Sequence, residues 1–131
     1  MATRGTPNEG RDLMAARIYV NCTMVLYVNA ADSLTESSVA ADLVQPTGTG
    51  YVPISLNGVF ASLNGVVQYD HGTPDEVVWQ NTHASNNWSQ DITGAAILSG
   101  GKILHFHDAA TPVTMTPGQK IAVDVQSLIA P

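Results

Sequence analysis

Trp88-Ser89-Gln90-Asp91-Ile92-Thr93-Gly94-Ala95-Ala96-Ile97-Leu98-Ser99-Gly100-Gly101-Lys102-Ile103-Leu104-His105-Phe106-His107 decides the fold class. Ile92 to Leu98 is one apolar strand, Ser99-Gly100-Gly101 is a tight turn, and Lys102 to His107 is the return strand. Adjacent glycines supply the positive backbone angles of a hairpin turn. A second turn, Thr116-Pro117-Gly118-Gln119, leads into a last strand, Gln119 to Val125. Working outward toward the N-terminus, Tyr19 to Asn29 is strand-like with two fairly apolar faces, since Met24, Leu26 and Val28 alternate with Thr23, Val25 and Tyr27. Tyr51 to Leu56 is a further strand, and Pro53 inside it predicts an edge position. Asn57-Gly58 and Asn64-Gly65 are hairpin dipeptides with a very short strand between them. Val66 to Tyr69 and Glu76 to Thr82 read as a pair around His71-Gly72-Thr73-Pro74-Asp75. About eight short strands at regular spacing predict an all-β, jelly-roll-like β-sandwich.

Ahead of this body, Thr6-Pro7-Asn8-Glu9 carries the signals of a helix start, a capping threonine followed by proline and a capping-box glutamate. Leu13, Met14, Arg17 and Ile18 fall near one face of the short helix expected from about Pro7 to Arg17. The chain is thus divided into an N-terminal arm and short helix, 1–17, and one β-sandwich domain, 18–131. The long connection from Ala30 to Gly50 holds one expected helical turn at Ser37 to Asp42, and connections of this length usually bind a partner or carry function.

Charged residues are only 12% of the 131, about half the usual share. Such a surface is covered by Ser, Thr, Asn, Gln and Gly, as in proteins buried within an assembly. The formal charge of −6 argues against a nucleic-acid footprint and against a polybasic membrane surface. Arg4, Arg11 and Arg17 all lie in the arm, whereas the body holds only Lys102 and Lys120 as bases. A basic arm on an acidic body suits docking on an acidic or polar partner. Met1 to Asp12 is polar and lacks the apolar core of a signal peptide, so the protein is expected to be made and used without export. The single cysteine, Cys22, reads as a buried strand residue.

Four constellations invite chemistry. His105 and His107 lie at i and i+2 on a strand and so share a face, as a metal-binding pair would. The acidic ligand expected four or five residues later is replaced by Thr111 and Pro112, and no further histidine follows. The alternative has Leu104 and Phe106 in the core and the two imidazoles turned to solvent or a partner, a pH-sensitive contact. Trp79 and Trp88 are candidate glycan-stacking residues, though eight aromatics are no more than an ordinary core uses. Ser85 and Asp70-His71 lack a nucleophile elbow, and Gly48-Thr49-Gly50 lacks the helix and lysine of a phosphate loop. No cofactor and no catalytic residue is assigned, and the chain is read as a non-enzyme.

The order of elements resembles a family of small virion proteins of tailed bacteriophages. The matching residues are Pro7-Asn8-Glu9-Gly10, the strand end Leu26-Tyr27-Val28-Asn29, and Gly50-Tyr51-Val52-Pro53-Ile54-Ser55-Leu56. Ile92-Thr93-Gly94-Ala95-Ala96-Ile97 with Gly100-Gly101, then Pro112 and Pro117-Gly118, completes the pattern. The resemblance implies a structural role, that of a capsid cement (decoration) protein made in the host cytoplasm and placed on the virion surface. It implies the major capsid protein and a second or third copy of the chain as partners. Expected contacts are Arg4, Arg11 and Arg17 in the arm and Leu34, Val39 and Leu43 in the long connection. A tail, baseplate or fibre-adaptor component is the alternative, as is a carbohydrate-binding module using Trp79 or Trp88.

Overall fold

The computed structural model describes residues 18–56, 59–63, 66–70, 76–125 and 128. Its strands are β1 (Thr23–Tyr27), β2 (Ile54–Ser55), β3 (Val59–Leu63), β4 (Val66–Asp70), β5 (Glu76–Gln80), β6 (Ile92–Ser99), β7 (Lys102–Val113) and β8 (Lys120–Asp124). The short helix expected before Ile18 lies outside the described residues. All pairings are antiparallel, in one four-stranded sheet of order β2-β1-β6-β7 and two two-stranded ladders, β3-β4 and β5-β8.

The β6–β7 hairpin forms as its sequence dictates. Ser99 pairs with Lys102, and Gly100 and Gly101 have φ of 58° and 76°, the left-handed pair of a type I′ turn. The second turn also forms, with the Gln119 N–H donating to the Thr116 carbonyl at 3.0 Å across Pro117 and Gly118. β2 lies at the sheet edge, where Pro53 predicts it. Val66 pairs with Leu63 of β3, while β5 pairs with β8, so the expected partnership of 66–69 with 76–82 is corrected. The reason is side-chain complementarity at long range. Val77 and Trp79 of β5 face inward beside Val123 and Ile121 of β8, and one apolar stripe completes the other.

Both faces of the four-stranded sheet are covered. On the first face Met24, Leu26, Ala95 and Ile97 pack with Val77 and Trp79, so the β5–β8 ladder forms a second layer. On the other face Val25, Tyr27 and Ala96 pack with Leu34 and Leu43 from the 30–50 connection. This is why the alternating residues of β1 are apolar on both sides. The connection is ordered by its own hydrogen bonds. Asn29 Nδ2 donates to the Asp42 carbonyl at 2.7 Å, Asn29 Oδ1 accepts from Val44 N–H at 2.9 Å, and Val28 N–H donates to the Val44 carbonyl at 2.8 Å. The helical turn expected there is a single 3-10 turn, Ala40–Asp42, with Asp42 Oδ2 accepting from Val39 N–H at 2.8 Å.

Candidate functional site

Trp79, Trp88, Cys22, His105 and His107 all lie among the described residues, whereas His71 lies outside them. Trp79 and Trp88 are 2% and 4% exposed, and both belong to the core. Their indole N–H groups donate to the carbonyls of Val52 at 2.8 Å and Thr49 at 3.0 Å. Rings held this way cannot stack on a sugar, which corrects the glycan assignment. Gly48-Thr49-Gly50 is the strap that receives Trp88. Cys22 is buried, as its sequence context predicts, and burial pushes its thiol pKa up.

The two histidines share a face, but it is the core-facing one. Leu98 pairs with Ile103 and Ile97 with His105, so Leu104 is an extra residue in β7. This bulge shifts the alternation, and His105 and His107 stand opposite Ile97 and Ala95. Leu104 packs on the first-face core and Phe106 on the second. His105 is half-buried, and burial lowers its pKa. Its ring stacks on Tyr19 at 9° between planes, and its Nε2 lies 2.6 Å from the Tyr19 hydroxyl. His107 is exposed. Among the described residues no group of three or more His, Cys, Asp or Glu is placed to hold a metal ion.

Asp108, on the opposite side of β7 from the histidines, is tied inward. Its Oδ1 accepts from the Tyr27 hydroxyl at 2.5 Å, and its Oδ2 accepts from Asp32 N–H at 3.0 Å. Burial and the adjacent carboxylate both raise the Tyr27 pKa. The ring reaches Asp108 by crossing Gly94, its register partner. A Cβ on Gly94 would lie 2.2 Å from the ring. Tyr51 performs a comparable task at the other edge. Its hydroxyl accepts from Leu26 N–H at 3.3 Å and donates to Gln45 Oε1 at 2.6 Å, where no residue of β2 reaches. Burial, partly offset by the Leu26 bond, pushes its pKa up to about 12.

Asn81, which the sequence does not single out, is the fully buried polar residue of the described chain. Its Nδ2 donates to the carbonyls of Met115 at 2.8 Å and Asn86 at 3.0 Å, and its Oδ1 accepts from His83 N–H at 3.0 Å. It clasps the turn after β5 to the segment before β8. No sequence signal separates it from the neighbouring asparagines, because its role is set by what surrounds it.

Of the expected contact residues, Leu34 is 8% exposed and anchors the connection to the second face, so it is corrected from a surface contact to a core residue. Leu43 packs partly against the same cluster. Val39 is 57% exposed. Arg4, Arg11 and Arg17 lie outside the described residues. Ile18, Val20, Val44, Val52 and Val78 are further large apolar side chains left exposed.

A slot of about 230 Å³ lies between the first face of the sheet and β8. Leu26, Ile92 and Ala95 belong to the sheet, His107 and Ala109 line the β7 side, and Ile121 to Asp124 line the β8 side with Leu128. Its wall is mostly apolar, with one imidazole and one carboxylate. Among the described residues no helix is long and apolar enough to cross a membrane. Comparison with protein-family models, with curated proteins and with solved structures finds no match.

Proposed function

We propose that this protein is a structural component of a tailed-phage virion, of the capsid cement type, which binds outside the shell and clamps neighbouring capsomers. One observation carries the reading. Trp79, Trp88, Tyr27 and Asn81 are buried and engaged internally, whereas the body presents Val39, Val44, Val52 and Val78 to solvent on a surface poor in charge. Isolated exposed valines are ordinary. Several of them on a weakly charged body, with a basic arm in the sequence, suit broad low-specificity contact. Binding only to the assembled shell stabilises that shell by mass action.

In this reading the major capsid protein and further copies of the chain are the partners, and Arg4, Arg11 and Arg17 with Val39 supply contacts. We read the body as jelly-roll-like on the ground that β6 pairs β7 in one layer while the flanking β5 pairs β8 in the other. Such nesting is how a long hairpin rolls into a sandwich. Quantitative mass spectrometry of purified virions tests the function. A ratio to the major capsid protein between about one-half and one, hundreds of copies on a closed symmetric shell, is expected for a cement protein. A few to a few dozen copies would assign a tail or baseplate role, and absence from virions would overturn the structural reading.

A further inference from the structure

We propose that the outer face of the β5–β8 ladder is a self-association surface, occupied by the same face of a second copy of the chain.

The register defines this face. Val77 and Trp79 of β5 and Ile121 and Val123 of β8 pack on the core, so the alternate residues of both strands point outward. Three cross-strand pairs make up the outer side: Glu76 with Asp124, Val78 with Ala122, and Gln80 with Lys120. Val78 is 48% exposed, and Ala122 beside it is exposed too. The middle of the face is thus an uncovered apolar pair, and its two ends differ in charge.

Lys102 and Lys120 are the only bases of the body, and Lys120 stands exposed at one end of the strip. Its neighbour Gln80 is held by the chain itself, with Nε2 donating to the Gly118 carbonyl at 3.2 Å. Glu76 stands exposed at the other end. Asp124, opposite Glu76, is already engaged within the chain, so Glu76 is the carboxylate that counts. The two ends lie four residues apart along the ladder, about 13 Å.

This polarity is self-complementary. A two-fold axis lying in the interface, across the strands at the Val78–Ala122 pair, lays a second ladder head to tail on the first. Val78 and Ala122 then meet their own counterparts, and the Lys120 end of each copy covers the Glu76 end of the other. Lys120 reaches Glu76 across one strand spacing, about 5 Å, which its four-carbon stem spans. A wholly acidic or wholly basic partner would satisfy one end and oppose the other. The same face of a second copy satisfies both, because a two-fold interface uses every contact twice. The ladder covers only about 17 Å by 10 Å, well below the roughly 800 Å² per partner of a stable complex. The pairing is therefore weak and concentration-dependent. It needs no shell, so it stands apart from the virion reading.

Sedimentation velocity of the full chain over a range of concentrations tests the pairing. A monomer–dimer equilibrium at low salt, weakening as salt rises, is expected. Glu76→Lys and Lys120→Glu each set like charges across the axis, and each should weaken the dimer at least about tenfold. Both positions are exposed, so both variants should keep the fold, checked by circular dichroism. The two changes made together reverse the polarity and should restore the dimer. An equimolar mixture of the single variants should do the same, as a heterodimer. A chain that stays monomeric up to about 1 mM would overturn the proposal. So would a dimer indifferent to both single changes, or a folded double variant that fails to pair.

Discussion

Gly94 and Tyr27 show how one missing Cβ organises a face of the sheet. Gly94→Ala would place a methyl 2.2 Å from the Tyr27 ring, against backbone held in a central strand pair. Overpacking of this kind costs about 1–3 kcal/mol or more, and urea denaturation of the variant should show that loss. Tyr27→Phe keeps the ring but removes its hydrogen bond to Asp108. Its expected cost is about 1.5–3 kcal/mol, the range for a bond to a charged partner. At Asn81 the expected loss on substitution by alanine is also large, because the Met115 and Asn86 carbonyls lose their side-chain donor and His83 N–H its acceptor. None of these roles is legible in the sequence. Gly94 reads there as one small residue in an apolar strand, and Asn81 as one asparagine among several.

At the scale of elements, the turns were the legible part. Gly100-Gly101 and Pro117-Gly118 each demand a particular backbone geometry, and both turns form where the residues stand. Replacing Gly100-Gly101 by Asn-Gly should leave stability nearly unchanged, since asparagine tolerates the left-handed region. Val-Gly should cost about 1–2 kcal/mol, measured by chemical denaturation. Strand partners and face assignments were not legible in the same way. The β5–β8 ladder joins residues far apart in sequence, and the Leu104 bulge sends Leu104 and Phe106 to opposite core clusters and leaves His105 half-buried while His107 is exposed. A bulge is one extra residue whose position depends on the partner strand, so local alternation cannot reveal it.

For the whole molecule, stability should describe a dome in pH. Burial holds the His105 pKa below its ordinary 6.5, so the unfolded chain takes up a proton first as pH falls. Stability is then lost on acidification below about 6.5 until the folded ring also protonates, and His105→Gln should flatten that part of the curve. On the alkaline side Tyr19, Tyr27 and Tyr51 all have raised pKa values. The unfolded phenols ionise first, and stability should fall as pH rises past about 10. Thermal melts across pH, for wild type and His105→Gln, check both limbs. Removal of residues 1–17 should abolish shell binding while the body stays folded by circular dichroism. Undiminished binding would remove the arm from the proposed mechanism. By itself the sequence determined an all-β chain, its turns, the edge position of β2 and two apolar faces on β1, because these follow from backbone geometry and local alternation. Only the tertiary structure decided that both tryptophans and Leu34 are buried and that β5 seeks β8. Those outcomes depend on which distant surfaces meet, and a linear pattern of apolar residues does not specify its partner.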